Sequence, residues 1–360
     1  LIAGGGTGGH LFPALAIGEE IKRRKPNTEI HYVGSSFGLE SRVFPIKDVW
    51  HTLLPIRGLQ RGIGITSIKR NFLLPFRIVH SLIKIRKLIN DFIPHMVIGT
   101  GGYAAALPIY IASNRNKAMP IILQEQNSFP GITTRLFAKK ARKVCIAFSE
   151  SEKRLKCNTV LTGNPVRNGI SNGNKKVGLK NFGFEDNKKT IFLFGGSQGS
   201  AYLNSIFSKV SENLSRAGVQ VLWQTGEFEY KKYKPMQNNR LRVLPFVNEM
   251  ADAYAMADLL ICRSGALTLS EITVCGKPAL LIPLPYAAGD HQTKNAQSLS
   301  RAGAAKLLSE KSLTPKELMH SIMTLVHNEK ELKKMSLVSL KLARADATAN
   351  IVNHIFEELR

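Results

Sequence analysis

Gly4, Gly6 and Gly9 in LIAGGGTGGH satisfy the spacing G-x-G-x-x-G, and His10 follows them directly. Glycines so spaced let backbone approach a ligand, and a helix opening after them offers free N–H groups to negative charge. A nicotinamide dinucleotide would also need an acidic residue about 20 positions on, against the ribose. Here the second apolar segment, TEIHYVGSS, ends in Gly34, Ser35 and Ser36, with Glu29 at its wrong end and Glu40 beyond it. The dinucleotide reading loses its second requirement, while the affinity of the loop for negative charge remains. His10 adds a titratable group suited to general-base work. Packing or capping at the helix start is its competing role.

A second glycine loop, GGSQGS at 195–200, lacks the lysine of a P-loop. Ser197 and the backbone N–H groups of Gln198 to Ser200 can still cradle a diphosphate. CRSGALTLSE (262–271) follows a strand-like run and opens a helix. Glu271 there can accept from ribose hydroxyls, or sit as a first-turn carboxylate on the helix dipole. GDHQTKNA (289–296) gathers polar side chains that suit either sugar hydroxyls or a solvated loop. No D-x-D pair and no His/Cys cluster at ligand spacing occurs, so no metal is expected. Cys145, Cys157, Cys262 and Cys275 are scattered and read as reduced, inert thiols, which suits the cytoplasm.

These loops need strands to end them. Apolar segments alternate with helix-like ones through the first half: TEIHYVGSS, PHMVIGTGGYAA, MPIILQEQNS, RKVCIAFSES and NTVLTGNPV, with helical candidates at 75–90 and 131–140. Alternating β and α elements imply a parallel sheet covered on both faces. The polar run 171–189 reads as a boundary. The pattern then restarts with KTIFLFGGSQGS and continues through VQVLWQTGE, LRVLPFV, ADLLICRSGA and KPALLIPLP, ending in a helical stretch at roughly 329–360. The expected fold is α/β, two Rossmann-like doubly wound domains, each opening on its own glycine loop. Ligands bind at the carboxyl ends of such strands, so two halves facing each other would make a cleft.

The 360 residues suffice for two domains, and 44% hydrophobic with 21% charged residues is a globular composition. No run of roughly 18 apolar residues exists to span a membrane, and no secretory signal is evident. Leu1 opens directly in strand-like sequence, so a few residues completing that strand are expected before it. The net charge of +24 is the unusual figure and calls for a polyanionic or phosphorylated partner.

GGGTGGHLFPALAIG, GTGGYAA, EQNSFPG, GNPVR, GGSQGS, CRSGALTLSE and HQTKNA occur in the order seen in glycosyltransferase family 28. The chain resembles, over essentially its whole length, the bacterial members that complete lipid II in peptidoglycan synthesis. The resemblance implies the glycosyltransferase B fold and, without cofactor, an inverting transfer of N-acetylglucosamine from its UDP donor to the 4-hydroxyl of the muramoyl sugar of lipid I. It implies that residues 1–167 bind acceptor and membrane, that 168–344 bind the donor, and that a helix at about 345–360 packs back on the first domain. Thr7, Gly8, Gly9 and His10 would face the sugars, with His10 or Glu125 as base. Asn127 would contact the N-acetylglucosamine, and Arg167 and Ser197 the diphosphate. The backbone of Val247 would read uracil. Ala266, Leu267, Thr268, Leu269, Ser270 and Glu271 would cover uridine, with Glu271 on the ribose. Gln292 and Asn295, with His291, would hold the sugar hydroxyls. Gln124 departs from the family, which usually has histidine there. A UDP-N-acetylglucosamine epimerase of the same architecture is the alternative.

A lipid acceptor needs a membrane-facing surface, and 69–90 (KRNFLLPFRIVHSLIKIRKLIN) offers one. At about 100° per residue, Ile78, Leu82, Ile85 and Ile89 share one stripe and Phe76, Val79 and Ile83 another. Arg77, Lys84, Arg86 and Lys87 surround the second stripe, and no acid occurs from Gly58 to Asn90. That pattern fits an interfacial helix on anionic lipid at the cytoplasmic face of the bacterial inner membrane; burial on both sides is the alternative. AKKARK (138–143) adds charge. Nucleic acid is disfavoured because aliphatic rather than aromatic residues interleave the charges.

Overall fold

The computed structural model describes residues 1–58, 72–115 and 119–360. They divide into two compact units, Leu1–Pro165 with Asp346–Arg360, and Val166–Ala345. In the first unit the described strands are β1 (Ile2–Gly4), β2 (Tyr32–Ser35), β3 (His51–Leu54), β4 (Val97–Gly101), β5 (Ile121–Glu125), β6 (Lys143–Ile146) and β7 (Thr159–Leu161). They pair in parallel in the order β3-β2-β1-β4-β5-β6-β7. The second unit holds β8 (Thr190–Phe194), β9 (Gln220–Gln224), β10 (Leu241–Leu244), β11 (Leu259–Cys262), β12 (Ala279–Leu281) and β13 (Ala305–Leu307). Their order, β10-β9-β8-β11-β12-β13, is again parallel throughout.

Both sheets have the doubly wound arrangement, in which the order reverses beside the first strand. Ligand crevices open at that reversal, beyond the carboxyl ends of β1 and β4 and of β8 and β11. The glycine loops leave the sheet at those two places. The strands read as continuous apolar runs because helices cover both faces. In β5, Ile121 and Leu123 join one core layer and Ile122 the opposite one. The alternation of side chains along a strand requires that split.

Two stretches differ from the sequence expectation. The polar run 171–189 contains the helix Lys175–Phe182 within the second unit. Asn174 caps it by accepting from Lys176 and Val177 N–H, Gly183 ends it at φ 72°, and Leu179 and Phe182 are buried beneath it. The terminal helical stretch is two helices, Glu329–Leu342 and Ala347–Glu357. The second of these buries Ile351, Val352 and Ile355 in the same layer as Ile2, Leu11 and Ile17 of the first unit.

Within 69–90, residues 69–71 lie outside the described residues; the helix Leu74–Phe92 carries the remainder. Ile85 and Ile89 are fully buried, and Ile78 and Leu82 are half-buried. Phe76, Val79 and Ile83 are 67%, 56% and 63% exposed, and Phe72 and Leu73 before the helix are exposed too. The chain therefore leaves an apolar stripe in water, bordered by exposed Arg86 and Lys87 and by Arg77, whose guanidinium lies 5.3 Å from the Phe37 ring centre. No described helix is long and apolar enough to cross a membrane.

Candidate active site and donor site

The first glycine loop is braced by a carboxylate. Glu40 is fully buried and accepts from Gly6 N–H at 2.9 and 3.1 Å and from Ser35 N–H at 2.7 Å. A Cβ on Gly5 would come within 2.2 Å of that carboxylate, so side chains are excluded there. Thr7 stands exposed at the start of the helix Gly8–Arg24, its carbonyl accepting from the N–H of His10 and Leu11. Gly8 and Gly9 form the first turn, and His10 follows half-buried.

His10 points Nδ1 at two acceptors, the carbonyl of Thr100 at 3.0 Å and Oε1 of Gln126 at 2.9 Å. A carbonyl cannot donate, so Nδ1 carries the hydrogen. In the neutral ring Nε2 is then the proton-accepting nitrogen. The loop after β4 makes this approach feasible: a Cβ on Gly101 would lie 2.9 Å from Nδ1, and Gly101 sits at φ 95°. Thr100 also ties the two loops together, its hydroxyl donating to the carbonyl of His10 at 2.8 Å.

Glu125 ends β5 and is 2% exposed. Its Oε1 accepts from the N–H and side-chain amide of Asn127 at 3.0 and 3.3 Å, and its Oε2 from Gly131 N–H at 2.9 Å. The carboxylate thus shapes the loop 127–131, which argues for a structural task over proton removal. Asn127, half-buried, is held from its other side by the Ser151 hydroxyl on its carbonyl, 2.7 Å. Gln124, where the family usually has histidine, is buried and donates to Asn164 Oδ1 at 2.8 Å.

In the second unit, Gly196–Gly199 close a turn after β8 that leaves Ser197 exposed at its tip, and Ser200 caps the helix Ala201–Ser208. Arg263, directly after β11, is 7% exposed and donates to Ser200 Oγ at 2.8 Å. Its Nη1 reaches the carbonyls of Ile282 and Pro283 and the carboxylate of Glu310. This buried cation fastens the glycine turn to the neighbouring strand end. Sequence reasoning missed it, although an arginine closing the apolar run DLLIC was the visible sign.

The helix Ala266–Val274 opens beyond Gly265, with Ala266 and Leu269 buried and Leu267, Thr268 and Ser270 half-buried. Glu271 is 6% exposed and holds two partners: Arg167 Nε lies 3.1 Å from Oε1, and Tyr254 OH donates to Oε2 at 3.0 Å. Burial pushes its pKa above the usual carboxylate value, opposed by the Arg167 charge and the Tyr254 hydrogen bond. Arg167 and Glu271, assigned from sequence to different parts of a nucleotide, are thus in contact. Val247 is buried, and its N–H donates to Gln224 Oε1 at 2.9 Å. Base recognition through that N–H would compete with Gln224.

The helix His291–Ala302 is docked on the same strand end. Its half-buried Gln292 accepts from Leu284 N–H at 3.0 Å through Oε1 and from the Ser264 hydroxyl at 2.8 Å through its carbonyl. Buried Asn295 donates to the Ser264 carbonyl at 3.4 Å, and His291 is half-buried at the first position. Among the described residues no group of three or more His, Cys, Asp or Glu could hold a metal ion.

Residues 1–146 match the glycosyltransferase family 28 N-terminal domain, and 190–351 the family 28 C-terminal domain. A Cytophaga hutchinsonii UDP-N-acetylglucosamine--N-acetylmuramyl-(pentapeptide) pyrophosphoryl-undecaprenol N-acetylglucosamine transferase is 38% identical over 99% of this chain and 96% of its own. The crystal structure of Acinetobacter baumannii MurG matches with a TM-score of 0.79 at 28% identity, covering 99% of this chain and 98% of that one. The UDP co-structure of MnaA from S. aureus shares the fold alone, with a TM-score of 0.69 at 14% identity over 98% and 96% of the two chains. The chain belongs to glycosyltransferase family 28 and is a glycosyltransferase of the B fold, built from two Rossmann-like domains.

Proposed function

We propose that this enzyme transfers N-acetylglucosamine from UDP-N-acetylglucosamine to the muramoyl 4-hydroxyl of lipid I, releasing UDP and inverting the anomeric centre. The observation that carries this reading is the 38% identity, over nearly the full length of both chains, to a relative named for that transfer. The geometry of His10 agrees with it. Nε2 of the neutral ring takes the proton as the acceptor oxygen bonds to the anomeric carbon. The bond from that carbon to the diphosphate oxygen breaks, and UDP leaves with the electron pair. Proton removal by a positioned base typically contributes ~10²–10⁴-fold.

Negative charge grows on the leaving diphosphate. Ser197, the N–H groups of the glycine turn and the N-terminus of the helix Ala201–Ser208 offer it fixed donors. Arg167 lies on Glu271 in this structure; ribose hydroxyls at Glu271 would give the arginine a reason to turn toward phosphate. The exposed stripe of the helix Leu74–Phe92 suits a peripheral enzyme that meets its lipid acceptor at an anionic membrane surface.

Mixing the protein with UDP-N-acetylglucosamine and a water-soluble lipid I analogue tests the reaction. UDP release that depends on the acceptor is the expected result; isomerisation of the sugar without acceptor would mean an epimerase instead. The ribose assignment has its own check. Glu271→Ala should weaken UDP and UDP-N-acetylglucosamine equally, by ~1.5–3 kcal/mol, as for a lost hydrogen bond to a charged group. Calorimetry showing unchanged UDP affinity would move the ribose elsewhere.

A further inference from the structure

Three buried amides behind His10 form a series whose polarity is fixed by backbone carbonyls. Gln126 turns Oε1 to His10 Nδ1 at 2.9 Å while its Nε2 donates to the Thr100 carbonyl at 2.7 Å. The same Nε2 also faces the Gln124 carbonyl at 3.3 Å and Gln124 Oε1. Reversing this amide would set its oxygen against two backbone carbonyls, which only accept. One step back, Asn164 Nδ2 donates to the Gln126 carbonyl at 3.1 Å, which leaves Asn164 Oδ1 to accept from Gln124 Nε2 at 2.8 Å. Gln124 must then present Oε1 to Gln126. Side chain to side chain, the donations run from His10 to Gln126, from Gln126 to Gln124 and from Gln124 to Asn164, so Gln126 offers His10 only an oxygen. Gln124, Gln126 and Asn164 are 0%, 2% and 1% exposed, so solvent does not compete for these bonds.

We infer that Gln126 is a positioning residue for His10, holding the neutral ring with its proton on Nδ1 and its lone pair on Nε2. The inference rests on the reading of His10 as base. The Thr100 carbonyl supplies one acceptor; Gln126 supplies the second, which fixes the plane of the ring. When Nε2 takes the acceptor hydroxyl's proton, the same two oxygens stabilise the imidazolium, and the proton passes to solvent after UDP departs.

Nitrogen-15 spectra of the full chain with labelled histidine test this directly. The nine histidines give few signals, and His10 is assigned by its loss in His10→Ala. The neutral ring is expected to carry its proton on Nδ1. A proton on Nε2 in the wild-type protein overturns the inference whatever any variant does. Gln126→Met keeps the side-chain size but removes the acceptor. It should lower kcat by roughly ten- to a hundredfold, part of what a base contributes, and raise the Nε2-protonated share of His10. The donor KM should stay within about twofold, because the loss falls on a transition-state interaction. If His10→Ala abolishes turnover while Gln126→Met retains it, the inference fails and the base assignment stands. A fully active His10→Ala overturns both.

Discussion

His10→Ala is expected to lower kcat by ~10²–10⁴-fold, the range typical for removing a positioned general base. Donor affinity should change little, since the base acts on the acceptor hydroxyl only as the transition state forms. Single-turnover measurements with a soluble acceptor, beside calorimetric titration with UDP, separate the two quantities. The structure sharpens the expectation because Nδ1 already faces Thr100 and Gln126. A purely structural histidine could use the same bonds, and near-normal turnover in the variant would give it that role.

Replacing Phe76, Val79 and Ile83 with serine is expected to release the protein from anionic vesicles. Each side chain withdrawn from lipid forfeits roughly 1.5–3 kcal/mol at full burial, and an interfacial helix binds in proportion to the apolar area it buries. All three are more than half exposed, and the substitutions leave buried Ile85 and Ile89 in place. Folding and turnover with a water-soluble acceptor should therefore persist. Salt should weaken wild-type vesicle binding as well, because charges are screened beyond a Debye length of ~8 Å at physiological ionic strength. Vesicle sedimentation decides it: undiminished binding by the triple variant would assign the basic surface to another partner.

The sheet centres were legible because the apolar segments that hold β1, β4 and β8 run directly into glycine turns. The edges were not. β3 is half-buried over His51–Leu53 and mixes polar with apolar residues, and β13 is only Ala305–Leu307. Such short edge strands carry no alternation strong enough to be distinguished from loop. The helix in 171–189 was hidden by its lysines, although Asn174 and Gly183 mark its ends.

Within the site, types and spacing pointed to His10 and the glycine loops, whose chemistry is local. They could not reveal Gln126, Asn164 or Arg263, which act across strand ends far apart in the chain. Glu40 shows the limit well. Discounted for a ribose because it lies past β2, it serves instead as the buried acceptor for the N–H groups of Gly6 in the loop and of Ser35 at the end of β2.

The helix Ala347–Glu357 completes the apolar layer that Ile2, Leu11 and Ile17 begin. On the ribosome those partners are separated by the synthesis of the entire second unit, Val166–Ala345. Domains usually fold as their last residues emerge, yet here Val166–Ala345 is a continuous stretch that can finish first. The opening unit must wait with part of its interior open to water. A chain stopped before Asp346 would thus damage the unit made earlier, Leu1–Pro165, and spare the one made later.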